Sequence, residues 1–95
     1  MDEKNAYMQK LEARLNQWGA EVDKLQAKSA EASADAKLEY QNQIEKLRGM
    51  QDDARQELDK LESAQGEAWK DLKSGIEKAW DNMGNAVKQA TDRFR

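Results

Sequence analysis

The sequence predicts an all-α protein: a long coiled-coil helix followed by a shorter amphipathic helix after a break near residues 63–66. Three observations carry that expectation. Apolar side chains advance by threes and fours from Met8 to Leu61, the spacing of one face of a helix. Residues 68–94 repeat every eleven positions with their large apolar side chains kept in place, and eleven residues are close to three helical turns. Finally, 37% of the residues are charged, 38% are hydrophobic and none is Pro, so a chain with this periodicity reads as a helical rod rather than a disordered segment.

In the first element, Met8, Leu15, Val22 and Ser29 occupy heptad position a, and Leu11, Trp18, Leu25 and Ala32 occupy d. The seam then slips. Ala36, Tyr40 and Ile44 follow at steps of four, a stutter that locally unwinds a left-handed supercoil. Heptads resume through Ile44, Leu47, Gln51, Ala54, Leu58 and Leu61. Four of the five Lys-Leu dipeptides, those ending at Leu11, Leu25, Leu47 and Leu61, mark the same rhythm with spacings of 14, 22 and 14, and Lys37-Leu38 falls off it. Those spacings put all four leucines on one stripe if a single helix runs from about Glu3 to Ala64. A hairpin turn within residues 27–37 is the rival reading, because the flanking halves resemble each other at an offset of 36. That stretch is rich in Ala, the best helix former, and lacks the Gly and Pro of ordinary turns, which favours the continuous helix. Acid-to-base pairs at i,i+3 (Glu21/Lys24, Glu45/Arg48, Asp52/Arg55, Glu57/Lys60) give it a solvated outer face.

The break falls at Ser63-Ala64-Gln65-Gly66, where Gly66 suits a left-handed backbone past a helix end. Two segments follow: a coiled-coil helix over 1–64 and an eleven-residue-repeat helix over 65–95. Ala68-Trp69-Lys70-Asp71-Leu72 is answered by Ala79-Trp80-Asp81-Asn82-Met83, and a third copy begins at Ala90 and ends at Phe94. Ser74-Gly75-Ile76-Glu77 fits a capping box, but a helix starting there would lose Trp69 and Leu72 from the stripe. The second helix is therefore expected from about Glu67 to Phe94.

The missing residue types narrow the chemistry. Without His or Cys there is no nucleophile–imidazole pair, thiolate, disulfide, or zinc or haem ligand set, and no cofactor is expected. A chain this short and polar can hardly enclose a carboxylate-lined cleft, so no enzyme and no small-molecule substrate are expected. The net charge of −3 is split unevenly, with 10 basic and 14 acidic residues up to Gly66 and 6 basic and 5 acidic after it. Neither part has the basic footprint that nucleic acid demands. No apolar run approaches a signal or a spanning helix, so a cytoplasmic protein, or one peripheral to a membrane, is expected.

Two residue sets carry the expected function. Leu11, Leu15, Trp18, Val22, Leu25, Ile44, Leu47, Leu58 and Leu61 form a seam that a second helix should cover, which makes a homo-oligomer the expected state. Trp69, Leu72, Ile76, Trp80, Met83, Val87 and Phe94 form the apolar face of the second helix. That face either packs as ordinary core or docks on a membrane surface or partner helix, with Lys70, Lys73, Lys78, Lys88, Arg93 and Arg95 as flanking cations. The two states can alternate, the stripe being covered in solution and released at a surface.

The run Ala68-Trp69-x-x-Leu72-Lys73-x-Gly75-x-Glu77-x-Ala79-Trp80-x-x-Met83-x-x-Ala86, ending at Arg93-Phe94, together with Asp35-Ala36-Lys37-Leu38-Glu39-Tyr40-Gln41, resembles a group of small bacterial coiled-coil proteins of unknown function. The likeness spans nearly the whole chain and brings no catalytic residues. It implies a bacterial cytoplasmic or membrane-associated helical protein. The eleven-residue repeat alone is similar to those of apolipoproteins, synucleins and group 3 late-embryogenesis-abundant proteins, whose helices bind lipid surfaces or protect cells during drying. The expected function is a non-enzymatic, self-associating scaffold or adaptor that docks through its second helix. A stress-protective, partly disordered chain and a helical inhibitor of a larger enzyme are the alternatives.

Overall fold

The computed structural model describes residues 2–94, which form three helices and no strand. Helix α1 spans Glu3–Glu31, α2 spans Ala34–Ser63 and α3 spans Trp69–Arg93. The all-α class and the break after Ser63 agree with the sequence. The single helix from Glu3 to Ala64 does not: it is divided at Ala32 and Ser33, and the rival hairpin is the observed form.

The division needs no turn residue with a left-handed backbone. Ala32 (φ −82°, ψ 160°) and Ser33 (φ −64°, ψ 163°) are both extended, a region open to any residue. Ser33 is the N-cap of α2, its hydroxyl accepting from the Ala36 N–H at 3.4 Å, and Asp35 adds a negative charge to the first turn. Helix α1 starts the same way, with the Asp2 carboxylate accepting from the Asn5 N–H at 2.7 Å. Gly and Pro were thus the wrong signals to seek at this corner. A serine cap between two alanines was sufficient.

The second connection does use a glycine. Gly66 has φ +60°, and the Ala68 N–H donates to the Gln65 carbonyl at 3.1 Å to close the turn. Helix α3 begins at Trp69, without a side-chain cap.

The helices run up, down and up in a body 52 × 20 × 18 Å. Lys4, at the start of α1, donates to the carbonyls of Glu62 and Ala64 at the end of α2 (2.9 and 2.7 Å). At the opposite end Lys28 of α1 donates to the carbonyl of Phe94 (3.2 Å), and Arg93 pairs with Glu39 near the start of α2. Helix α3 is therefore parallel to α1 and antiparallel to α2. Every residue ascribed to an oligomer seam is buried within this one chain, from Leu11, Leu15, Trp18, Val22 and Leu25 on α1 to Ile44, Leu47, Leu58 and Leu61 on α2. The cover expected from a second chain comes from the chain itself, because folding at Ala32–Ser33 turns the two halves of one stripe to face each other.

The surface pairs hold in part. Lys24–Glu21 and Lys60–Glu57 form at 3.4 Å each, whereas Arg48 reaches across to α1, to Asp23 at 3.6 Å and to Gln26. Exposed pairs of this kind contribute about 0–1 kcal/mol apiece.

Candidate functional site: the α3 stripe and its cradle

Helix α3 is the most amphipathic of the three, and its apolar face lies in the cradle between α1 and α2. Trp69, Ile76, Trp80, Met83 and Val87 are buried, while Leu72 and Phe94 are half-buried at the edge. Of the two outcomes expected for the stripe, packing as core is the one seen in this structure. Arg95, counted among its flanking cations, lies outside the described residues. Ala90 is also buried and was not foreseen. In the third repeat copy Thr91 stands where Trp69 and Trp80 stand in the first two, and the core position moves back to Ala90. The core positions thus keep seven-residue spacing along the whole helix, Trp69, Ile76, Met83 and Ala90 in one row and Trp80, Val87 and the half-buried Phe94 in the other, as contact with neighbours of heptad spacing requires.

Trp69 and Trp80 of α3, and Phe94 at its C-cap, each meet an aromatic residue of the α1–α2 hairpin. Trp69 lies 5.9 Å from Tyr7, Trp80 lies 6.3 Å from Trp18, both tilted, and Phe94 stacks on Tyr40 at 4.0 Å. The two tilted pairs lie in the favourable separation range and add about 0.5–1.5 kcal/mol each beyond burial. The result is a ladder along the bundle, one rung near each end and one in the middle. Nothing in a linear pattern pairs Tyr7 and Tyr40 with these particular partners.

The middle rung lies against Gly84, where a Cβ would stand 3.4 Å from Cζ2 of Trp18, an ordinary contact distance. Arg14 covers the outer face of Trp18 with its guanidinium 5.1 Å from the ring. At the lower rung Lys73 lies 5.2 Å over Tyr7 and Lys70 5.9 Å over Trp69. Lys70 also pairs with Glu67 at 2.6 Å, and that hydrogen bond and charge raise its pKa above the ordinary lysine value.

Polar links between α3 and the hairpin are few. Inside, the Trp80 indole N–H donates to the Leu11 carbonyl at 3.2 Å. The Tyr7 hydroxyl is buried without a hydrogen bond of normal geometry, although the Glu77 carboxylate is near enough to act on its charge. Burial first and the Glu77 charge second push the Tyr7 pKa above its ordinary value, with Arg14 acting in the opposite sense. At the far end the links are the exposed Arg93–Glu39 pair and the Lys28 bond to the Phe94 carbonyl.

Among the described residues no helix is long and apolar enough to cross a membrane, and no group of three or more carboxylates is placed to hold a metal ion. Compared with protein-family models, curated proteins and solved structures, the chain matches none of them.

Proposed function

We propose that this chain is a non-catalytic helical adaptor of the cytoplasm whose third helix is core in solution and docks, after leaving the bundle, on an anionic membrane surface. The observation that most supports this reading is the concentration of Trp69, Trp80 and Phe94 on one face of a helix joined to the rest through a glycine turn. Aromatic and aliphatic side chains on one face, with lysines beside them, suit the interfacial region of a bilayer. Lys70, Lys73, Lys78 and Lys88 are all exposed on α3 in the closed state. The acids Asp71, Glu77, Asp81 and Asp92 nearly balance the cations, so insertion of apolar surface rather than headgroup charge supplies most of the binding.

Docking exchanges one apolar cover for another. The stripe stays out of water in both states, and the opposing cost is exposure of the hairpin face beneath it. The exposed links at the Phe94 end are weak and salt-screened, which leaves the Trp80–Leu11 bond and the aromatic rungs as the main polar and aromatic restraints. The similarity of the eleven-residue repeat to lipid-binding helices supports the same reading.

The test uses a chain keeping only Trp80 (Trp18→Phe, Trp69→Phe) and phosphatidylglycerol vesicles with brominated acyl chains. Quenching of Trp80 by these vesicles is expected, with emission already blue in buffer because the indole is fully buried. Unquenched emission would leave α3 as permanent core and the membrane reading without support. A coil spectrum by circular dichroism in dilute buffer would instead favour the stress-protective alternative.

A further inference from the structure

We infer that the chain exchanges helices with a second copy of itself, straightening at Ala32–Ser33 so that α1 of each copy packs on α2 and α3 of the other. The first support is phase. Val22, Leu25, Ser29, Ala32, Ala36, Tyr40, Ile44 and Leu47 step by threes and fours without interruption through the corner. A hairpin does not require its arms to be in phase across the turn, because each arm meets the other from its own side. A straight rod does require it, since only then is one face apolar throughout.

The second support is the corner itself. Only Ala32 and Ser33 lie outside helix between α1 and α2, neither is Gly or Pro, and both differ from helical geometry chiefly in ψ. Rotating ψ from 160° and 163° to about −42° continues the helix with no steric obstacle. What holds the corner is an exposed cap bond of 3.4 Å and the Ala32 N–H bond to the Ser29 carbonyl at 3.1 Å. A connection this short, flanked by Glu31 and Ala34 in good helices, is the kind of hinge at which identical elements swap.

The occupant is fixed by the contacts. Every α1 contact in the closed chain, such as Trp80 to Leu11 and Tyr7 to Trp69, can be remade with the second copy, and only the two hinge residues change. The turn at Gln65–Ala68 is untouched, so α3 stays with its own α2. The exchanged state is thus a pair of antiparallel rods, each closed by its own α3.

The chain has no cysteine, which makes a disulfide test clean. A Cβ at Gly19 would lie 3.1 Å from the Gln51 side-chain nitrogen, so Gly19→Cys with Gln51→Cys places a pair across the α1–α2 contact. In the closed chain that pair joins within one molecule, and in the exchanged state it joins two. The variant also carrying Ser33→Ala, refolded at high protein concentration and oxidised, is expected to sediment with doubled mass and to run as a covalent dimer without reductant. Four Gly/Ser residues inserted after Ala32 are expected to return it to monomer with an internal disulfide. Monomer alone for Ser33→Ala, or a dimer whose disulfides are all internal, overturns exchange. Should Ser33→Ala lose its helical spectrum, the cysteine pair in the unsubstituted hinge, refolded at the same high concentration, decides by the same two readouts.

Discussion

The indole nitrogen of Trp80 donates to the main-chain oxygen of Leu11 across 69 positions of sequence, and the indole that makes this bond is fully buried. It is a buried polar link between the first and third helices. Trp80 thereby fixes the axial position of α3 relative to α1, something apolar packing alone constrains poorly. Replacing Trp80 with Phe keeps most of the volume and is expected to cost about 1–2 kcal/mol, whereas Trp80→Ala is expected to cost about 3–5 kcal/mol. Guanidinium unfolding followed by circular dichroism measures both. Trp80→Glu should unfold the whole bundle, since an unpaired carboxylate would enter its centre.

Tyr7 gives a pH signature. Its folded pKa is raised above the ordinary phenol value of about 10, so the neutral phenol is the form the fold favours. Below that value both states hold the proton and its contribution to stability is complete. As pH rises past it the unfolded chain ionises first, and stability falls until the folded hydroxyl ionises too. Tyr7→Phe is expected to equal or exceed the parent in stability at neutral pH, because it removes a buried hydroxyl without a hydrogen bond. It should also show a shallower loss as pH rises past about 10. Urea midpoints of the two proteins across that range make the comparison.

The glycines separate by environment. A Cβ at Gly49 or Gly75 meets nothing within 4 Å on a helix, so Gly→Ala at either is expected to stabilise by about 0.5–1 kcal/mol. Gly66, at φ +60°, is expected to lose about 1 kcal/mol as Ala because the left-handed backbone is costly for a side chain. Thermal midpoints should move by about 4–8 °C per kcal/mol, in opposite directions for the two classes.

The far-end contacts govern release of α3 in the membrane reading. Phe94→Ala with Arg93→Ala removes the Tyr40 stack and the Glu39 pair, leaving the lower rungs intact. Amide hydrogen exchange in buffer is expected to speed up in the last turns of α3 before its first turns, and vesicle binding to tighten. Faster exchange confined to the Trp69 end would place the opening at the Gly66 turn instead.

The helices were legible in sequence because three- and four-residue spacing is a local property. Leu11, Leu15, Trp18, Val22, Leu25, Ile44, Leu47, Leu58 and Leu61 were foreseen as buried, and all are. Which surface buries them was not legible, because a heptad seam looks the same whether its cover is another chain or the same chain returning. That choice rests on Ser33, one capping side chain whose contribution of about 1 kcal/mol is small beside the Ala-rich helix signal around it. The α3 stripe was read almost completely. Ala90 escaped because the repeat predicts Thr91 at that level, and only the heptad spacing of the facing helices shifts the contact back by one residue. The pairing of Tyr7 with Trp69 and Tyr40 with Phe94 depends on the axial offset of whole helices, which no local pattern encodes.

With an odd number of helices, Asp2 and Phe94 sit at opposite ends of a body 52 Å long. Tension applied through those two ends pulls α1 and α3 in opposite directions along their shared axis. The Tyr7, Trp18 and Tyr40 contacts are then loaded in shear, all together, rather than peeled one after another.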